Sequence, residues 1–259
     1  MSGTIDDLVL SPAPLSTPFS FTPATLGPKV WLRSDLGISL DGSGNVSAWA
    51  DQSGNGNTVS QASSGQRPAY ASTGGPLGLP ALVWPALGNS ILLQKTGYAD
   101  ALLKDVFIVA TPATIPGSPN GYMIDFGGNV SALYSAPGSV VQAYNGSVLG
   151  GPSIVSGTPF VLEEQLTSPG GVATLTVDGT ASDTGPLGTP VGTSLTIGNF
   201  ASGANGFSGS ICEVIVFPAL LTTAQRTNVL TYLQIRYGIN TGSPYGVMTY
   251  LQDLVLLPY

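Results

Sequence analysis

The segment Val172-Ala-Thr-Leu-Thr-Val-Asp-Gly179 indicates the fold most clearly. Its β-branched side chains suit a pleated strand, and the Asp-Gly pair accepts the positive φ angles of a tight turn, so the segment predicts half of a β-hairpin. Asn145-Gly146, directly after the run Val140–Tyr144, is a second signal of the same kind. Many short runs of this type, separated by Gly, Asn, Ser and Pro, are typical of a β-sandwich or barrel.

Outward from these hairpins, other apolar or alternating runs predict the remaining strands. They are Lys29–Arg33, Val46–Ala50, Ala81–Trp84, Ser90–Leu93, Val106–Thr111, Gly121–Phe126, Ala132–Tyr134, Phe160–Leu166, Ser194–Ile197 and Gly209–Phe217. One helix is predicted late in the chain, from Thr222 to Tyr237. Thr222 and Gln225 form a capping-box pattern, and Gly238 suits the end of a helix. We therefore expect a single helix to cover one end or edge of an all-β sandwich.

The composition excludes several classes of function. Of 259 residues only 8% are charged and 42% are hydrophobic, which supplies a core and argues against disorder. The net charge is −7 and the seven basic residues are scattered, so we expect no nucleic-acid binding. No stretch reaches the roughly 18 apolar residues of a transmembrane helix, and residues 1–10 lack the basic start of a secretory signal. We therefore expect no membrane partner and no signal peptide.

Three zones divide the chain. Residues 1–27 contain four prolines and no helical periodicity, which predicts an extended N-terminal arm. Residues 28–240 hold the predicted strands and the helix, and we expect them to form one domain. Residues 241–259 are predicted to be a second extended tail.

Five sequence blocks carry a family resemblance. They are Val30–Leu36, Asp41–Trp49, Ala50–Asn57, Gly209–Phe217 and Tyr232–Gly238. Together they resemble the opening and closing parts of concanavalin A-like lectin/glucanase domains of the laminin G-like type. The resemblance covers residues 28–240 and implies a jelly-roll sandwich of two antiparallel sheets. Such domains occur in virion proteins, bacterial surface proteins and carbohydrate-active enzymes, so the fold alone does not settle the function.

Catalytic groups are scarce in this sequence. The chain contains no His, which makes a Ser–His–Asp arrangement impossible. Its only glutamates are Glu163, Glu164 and Glu213, and adjacent residues on a strand face opposite sides. Asp125 is a lone acid, and the Glu-x-Asp-x-Glu strand that the resemblance to the glucanase branch would require is missing. We therefore expect no enzymatic activity and no catalytic residues; Cys212 in its apolar run is interpreted as a buried, inert thiol.

The second tryptophan and the loop that follows it offer candidate glycan contacts. They are Trp49, Asp51, Asn55 and Asn57. The alternative interpretation places the Trp49 ring in the core and makes Asp51 the cap of a tight loop, with its carboxylate bonded to nearby backbone. Oxygen atoms of the same loop could hold calcium. A separate segment starting at Asp41 is only faintly similar to a calcium loop, because it lacks the turn Gly and the final acid, so we discount it. We expect no cofactor, with calcium as the open alternative.

The two ends of the chain share a pattern. Asp7-Leu-Val-Leu-Ser-Pro12 and Asp253-Leu-Val-Leu-Leu-Pro258 agree at five of six positions. Extended segments of this kind can add to an exposed sheet edge on their own or a neighbouring chain, and chance similarity is the alternative. The predicted docking residues are Leu8, Val9, Leu10, Pro12, Leu254, Val255, Leu256 and Pro258.

Two functions follow as hypotheses. The leading one is a non-enzymatic structural protein of a bacteriophage virion, either a capsid decoration or cement protein or a tail or fibre component. Its partners would be other virion proteins and copies of itself, gripped by the terminal arms. The alternative is a carbohydrate-binding, lectin-like adhesin that recognises host surface glycans, which an aromatic face lined with Asn and Asp would favour.

Overall fold

The computed structural model describes residues 20–100, 104–115, 120–127, 132–167, 172–179, 181–186 and 192–240. Within these residues the chain forms two antiparallel sheets and one α-helix, which confirms the predicted all-β sandwich with a single late helix. The tail residues predicted to dock on partners lie outside the described residues. Among the described residues, no helix is long and apolar enough to cross a lipid bilayer.

The described strands are short and follow one another closely along the chain. They are β1 Val30–Arg33, β2 Ile38–Leu40, β3 Val46–Trp49, β4 Val59–Ser60, β5 Ala69–Ala71, β6 Ala81–Trp84, β7 Leu93–Thr96, β8 Lys104–Pro112, β9 Gly121–Asp125, β10 Ala132–Ala136, β11 Val140–Tyr144, β12 Val148–Ser153, β13 Phe160–Leu166, β14 Val172–Val177, β15 Ala181–Pro186, β16 Ser194–Ile197 and β17 Gly209–Phe217. The helix α1 spans Thr223–Tyr237.

The strands divide between two sheets of different size. The first, with eight described strands, has the order β15-β14-β13-β8-β17-β6-β5, and β1 pairs with β17 beside this path. The second, with nine described strands, has the order β12-β11-β10-β9-β16-β7-β4-β3-β2. Their facing sides form the main core, because alternate residues of each strand point inward. Trp49 and Trp84 are the largest fully buried side chains in it.

The helix covers the outer side of the eight-stranded sheet. The Thr222 hydroxyl accepts a bond from the Gln225 amide and the Gln225 side chain returns one to Thr222, so the predicted capping box is present. Gly238 ends the helix in the left-handed region at φ 63°. Apolar residues of the helix, such as Val229 and Leu233, pack against strands β8 and β17. The molecule therefore has three layers: helix, eight-stranded sheet and nine-stranded sheet.

The described end of the predicted N-terminal arm lies against this helix layer. Residues Pro23–Leu26 form a 3-10 turn, and Leu26 packs with the apolar residues beneath the helix. The rings of Phe21 and Tyr232 meet edge to face, with centroids 6.5 Å apart. The side chains of Phe21 and Leu26 are thus partly buried against the chain's own helix layer.

Candidate functional site

An aromatic cluster lies on the outer side of the nine-stranded sheet, away from the helix. Tyr122 on β9 and Tyr134 on β10 are register partners, and their rings stack with centroids 4.8 Å apart at 22°. Tyr144 on β11 packs against the same cluster, as does Phe200 from the loop after β16, whose ring lies 5.2 Å from that of Tyr122. We call Tyr122, Tyr134, Tyr144 and Phe200 the tyrosine face.

Strand alternation explains why these rings point outward. Leu133 and Ala143 point into the main core, so their neighbours Tyr134 and Tyr144 must face the other side of the sheet. Tyr122 and Tyr134 are almost fully buried, with exposures of 7% and 3%. Tyr144 and Phe200 are half-buried. The cluster therefore has a rigid floor of two stacked rings and an accessible rim formed by the other two.

The phenol groups of Tyr122 and Tyr134 remain neutral under ordinary conditions. Burial, followed by the neighbouring hydroxyls of Tyr122 and Tyr144, raises the pKa of Tyr134 to about 12. Burial and then the charge of Asp125 raise the pKa of Tyr122, whose hydroxyl also bonds to the side chain of Asn120. The rings that carry these hydroxyls belong to one packed cluster. The hydroxyls can both donate and accept hydrogen bonds.

Two neutral side-chain amides lie beside this cluster. Gln142 on β11 is the register partner of Tyr134, faces outward and is half-buried. Asn120 precedes β9 and bonds to the Tyr122 hydroxyl. Together with the phenols they make a surface of aromatic rings and uncharged hydrogen-bonding groups.

The loop that carries Phe200 is held firmly. The Asn199 side-chain oxygen accepts bonds from the amides of Phe200 (2.8 Å) and Asn205 (3.0 Å). The Asn199 side-chain amide donates to the carbonyls of Asn89 (2.8 Å) and Ile91 (3.1 Å). These four bonds tie the loop to itself and to the segment before β7, so the Phe200 ring has a fixed position.

Asp125 anchors the same loop to β9. One of its oxygens accepts a bond from the Ala201 amide (2.8 Å) and the other from the Gly127 amide (3.1 Å). The carboxylate is fully buried. The lone acid singled out in the sequence therefore has a structural task, which is to position the rim of the tyrosine face.

Trp49, predicted as a candidate glycan contact, is not available to a ligand. Its side chain is fully buried in the main core, and its indole NH donates to the Arg33 carbonyl (2.8 Å). The physical reason for this burial is that Trp49 points between the sheets from β3, where a large apolar ring contributes most to packing.

Asp51 instead completes the edge of β1. Its Oδ1 accepts bonds from the amides of Trp31 (2.9 Å) and Ser53 (3.0 Å), and its Oδ2 accepts one from the Asn57 amide (2.9 Å). The backbone amide of Gln52 donates to the Trp31 carbonyl (2.7 Å). The loop therefore lies along a strand edge that no other strand pairs with in the described residues, and satisfies its backbone groups.

The side chains of Asn55 and Asn57 serve the same purpose. They donate to the carbonyls of Pro28 (2.9 Å) and Lys29 (2.8 Å). The four predicted glycan residues thus contact β1 and its approach, and the structure does not bring them to the tyrosine face. The alternative interpretation of this loop as a hydrogen-bonded cap agrees with these contacts.

The acid of the discounted segment, Asp41, also has protein partners. Asp41 accepts bonds from the amides of Ser43 (2.9 Å) and Asn45 (3.0 Å) and forms an ion pair with Arg67 (3.0 Å). In the part of the chain that the structure describes, no three or more Cys, Asp or Glu side chains are grouped so that they could hold a metal ion.

Comparison with known proteins gives the fold. No family model and no curated protein sequence matches the chain. Domain 4 of a GH43 extracellular arabinanase from Geobacillus stearothermophilus, in complex with arabinotriose, is similar with a TM-score of 0.53 at 16% identity over 78% of this chain and 97% of that domain. The binding domain of botulinum neurotoxin serotype D has a TM-score of 0.56 at 10% identity over 83% of this chain and 54% of its own. Trypanosoma rangeli sialidase, in complex with the inhibitor DANA, has a TM-score of 0.52 at 11% identity over 78% of this chain and 32% of its own.

The coverage differs among these structures. The chain matches nearly the whole arabinanase domain, about half of the toxin binding domain and about a third of the sialidase. At such low identity the likeness concerns architecture alone. It shows that the chain has a lectin-like β-sandwich fold.

Proposed function

We propose that this chain is a carbohydrate-binding domain and that the tyrosine face is its sugar site. The observation that carries the proposal is the stacked cluster with its half-buried rim of Tyr144 and Phe200 beside neutral amides. The apolar CH faces of a sugar ring pack on aromatic rings, while its hydroxyls need hydrogen-bond donors and acceptors at the edge. Both groups are present together here.

The rigidity of the cluster favours binding. The floor rings are buried, and the Phe200 loop is fixed by the Asn199 and Asp125 bonds. A surface that is already ordered loses little conformational entropy when a ligand arrives, so more of the contact energy remains as affinity.

The structural neighbours support the same proposal. The arabinanase domain was solved with arabinotriose, and a botulinum neurotoxin binding domain was solved in complex with SialylT. Cell entry of botulinum neurotoxin type C depends on interaction with two ganglioside molecules. Carbohydrate binding is thus a use to which proteins of this architecture are put, and the aromatic face supplies the chemistry for it in this chain.

We propose binding without hydrolysis. Glycosidases need two carboxyl groups flanking the bond that is cleaved. Asp125 is the only acid among the described residues of β9, β10 and β11, and both of its oxygens accept bonds from backbone amides. The bound sugar would therefore be released unchanged.

A glycan array with the purified chain, followed by calorimetry on the best ligand, tests the site. Replacing Tyr144 by Ala removes a rim ring, and we expect the affinity to fall at least about tenfold, since aromatic anchors commonly contribute more than 1 kcal/mol. Tyr144→Phe keeps the ring and should retain most of the affinity. Tyr70→Ala is the matched control, because it removes another half-buried tyrosine from β5 of the other sheet. Unchanged binding by Tyr144→Ala, or no ligand on the array, would overturn the proposal.

Assembly through the tails is a second candidate function. The feature that favours it is the shared pattern at residues 7–12 and 253–258, which suits addition to a sheet edge of a neighbouring virion protein or a second copy. Deletion of both tails tests this role, and the N-terminal deletion should stop at residue 19 because Phe21 and Leu26 pack on the helix layer. Removal of 1–19 and 241–259 should turn an assembled species into a monomer on light scattering; a full chain that is already monomeric would refute this role.

A further inference from the structure

The charges around the tyrosine face differ from those of the rest of the molecule. All seven Lys and Arg residues of the chain lie in its described part. Arg226 and Arg236 lie on α1. Arg33 is two residues after Trp31 on β1 and therefore faces the same side, where the Trp31 ring packs under that helix. Three of the seven cations therefore belong to the helix side of the eight-stranded sheet, two layers away from the tyrosine face.

The remaining cations are also held elsewhere. Arg67 pairs with Asp41, and Lys104 is fully buried beside Asp100 (2.8 Å). Lys29 donates to the Ala99 carbonyl and lies over the Tyr98 ring. Lys95 is on β7 and shares the inward side of that strand with Leu93, opposite to the side on which the tyrosines stand.

Among the described residues, a buried acid, and no Lys or Arg, lies close to the tyrosine face. Asp125 lies on β9 beneath the Phe200 loop, and its charge is felt at the Tyr122 hydroxyl, where it helps burial to raise the pKa of that group. In a partly desolvated site, a ligand carboxylate would be repelled by this like charge. No cation would be near enough to offset the free energy that the carboxylate loses with its hydration.

Resting on the proposed function, we propose that the tyrosine face selects neutral saccharides and rejects glycans that carry a carboxylate, such as sialylated or uronic-acid sugars. Selectivity then comes from two sources: rings and amides that suit an uncharged sugar, and a buried carboxylate that repels an acidic one. This separates the chain from the toxin binding domain that was solved with SialylT, although the two share an architecture.

Matched sugar pairs that differ in one carboxylate test this inference by calorimetry. Suitable pairs are lactose with 3′-sialyllactose, and glucose-terminated with glucuronate-terminated disaccharides. We expect the neutral member to bind at least about tenfold more tightly, with little change between 50 and 500 mM NaCl, because no ion pair contributes to its binding.

A charge variant makes the test sharper. Gln142→Lys places a cation next to Tyr134 and should reduce the preference for the neutral member severalfold by improving binding of the acidic one. Gln94→Lys is the matched control, because Gln94 is on the same outer side but four strands from Gln142, about 20 Å at the usual strand spacing, and two strands from Tyr122. Equal or tighter binding of the acidic members by the unaltered chain would overturn the inference and leave the sugar site intact. Binding of neither member would overturn both.

Discussion

Replacing Glu213 by Ala is expected to lower the free energy of unfolding by about 3–5 kcal/mol, the range for removing one partner of a buried charge network. Glu213 is fully buried between β17 and the helix layer. Its carboxylate accepts bonds from the Trp31 indole (2.7 Å) and from the hydroxyls of Tyr232 (3.0 Å) and Tyr237 (2.8 Å). Arg236 approaches it at 3.3 Å. With Ala in this place, Arg236 would keep its ion pair with Asp35 (2.7 Å). The Trp31 indole and the Tyr232 hydroxyl, however, would lose the acceptor shown for them.

Urea unfolding measures this effect, and Glu213→Gln is its control. Gln keeps an acceptor and the side-chain volume, so we expect a loss that is less than half that of Ala. Sugar affinity should stay unchanged in either variant under conditions where it remains folded, because the network belongs to the helix side. A loss below about 1 kcal/mol for Glu213→Ala would contradict the role of this carboxylate in fastening the helix.

Replacing Gly198 by Ala is expected to affect stability and sugar binding together. Gly198 has a φ of 78°, and an added Cβ would lie 1.9 Å from an atom of the buried Trp84 ring. Overpacking of this kind costs about 1–3 kcal/mol, and the left-handed backbone adds about 1 kcal/mol for a residue with a Cβ. Because Asn199 and Phe200 follow directly, the rim ring should shift and the sugar affinity should fall about tenfold or more.

Gly203→Ala in the same loop separates strain from collision. Gly203 has a similar φ of 75°, but an added Cβ would come no nearer than 3.7 Å to another atom. This variant should lose only about 1 kcal/mol and keep most of its affinity. If both variants unfolded at the same urea concentration, the packing of Gly198 on Trp84 would not be what fixes the loop.

The strongly patterned elements could be predicted from the sequence. β14 and β17 have the bounds Val172–Val177 and Gly209–Phe217 in both the prediction and the structure, because dense β-branched residues fix them locally. The hairpin turn at Asp178 and Gly179 has positive φ at both residues, and the helix cap is present as expected. Local chemistry decides such features.

Other strands depend on their partners. β12 and β15 were not predicted, since Val148–Ser153 and Ala181–Pro186 are rich in Gly, Pro and Ser and become strands only beside β11 and β14. The prediction at Ser90–Leu93 is displaced: β7 begins at Leu93, because the Asn89 side chain takes the Ile91 amide (2.7 Å) away from sheet pairing.

The tyrosine face was missed for the same reason. Three of its rings come from the successive strands β9, β10 and β11 and the fourth from a loop much later in the chain, and only the pairing of the strands in the sheet brings them together. The available signal was the alternation that places Tyr134 and Tyr144 opposite to core residues. The tryptophans attracted the glycan hypothesis instead, although Trp49 and Trp84 are the rings that the core needs most.

Mapping of a bound neutral oligosaccharide by NMR tests the central claim most directly. Amide and tyrosine-ring shifts would be recorded during titration with the best neutral ligand from the array. We expect the largest changes at Tyr122, Tyr134, Tyr144 and residues 199–205, with none on α1 or in the loop 51–57. Changes concentrated on the helix layer or on that loop, with the tyrosine face unaltered, would contradict the claim.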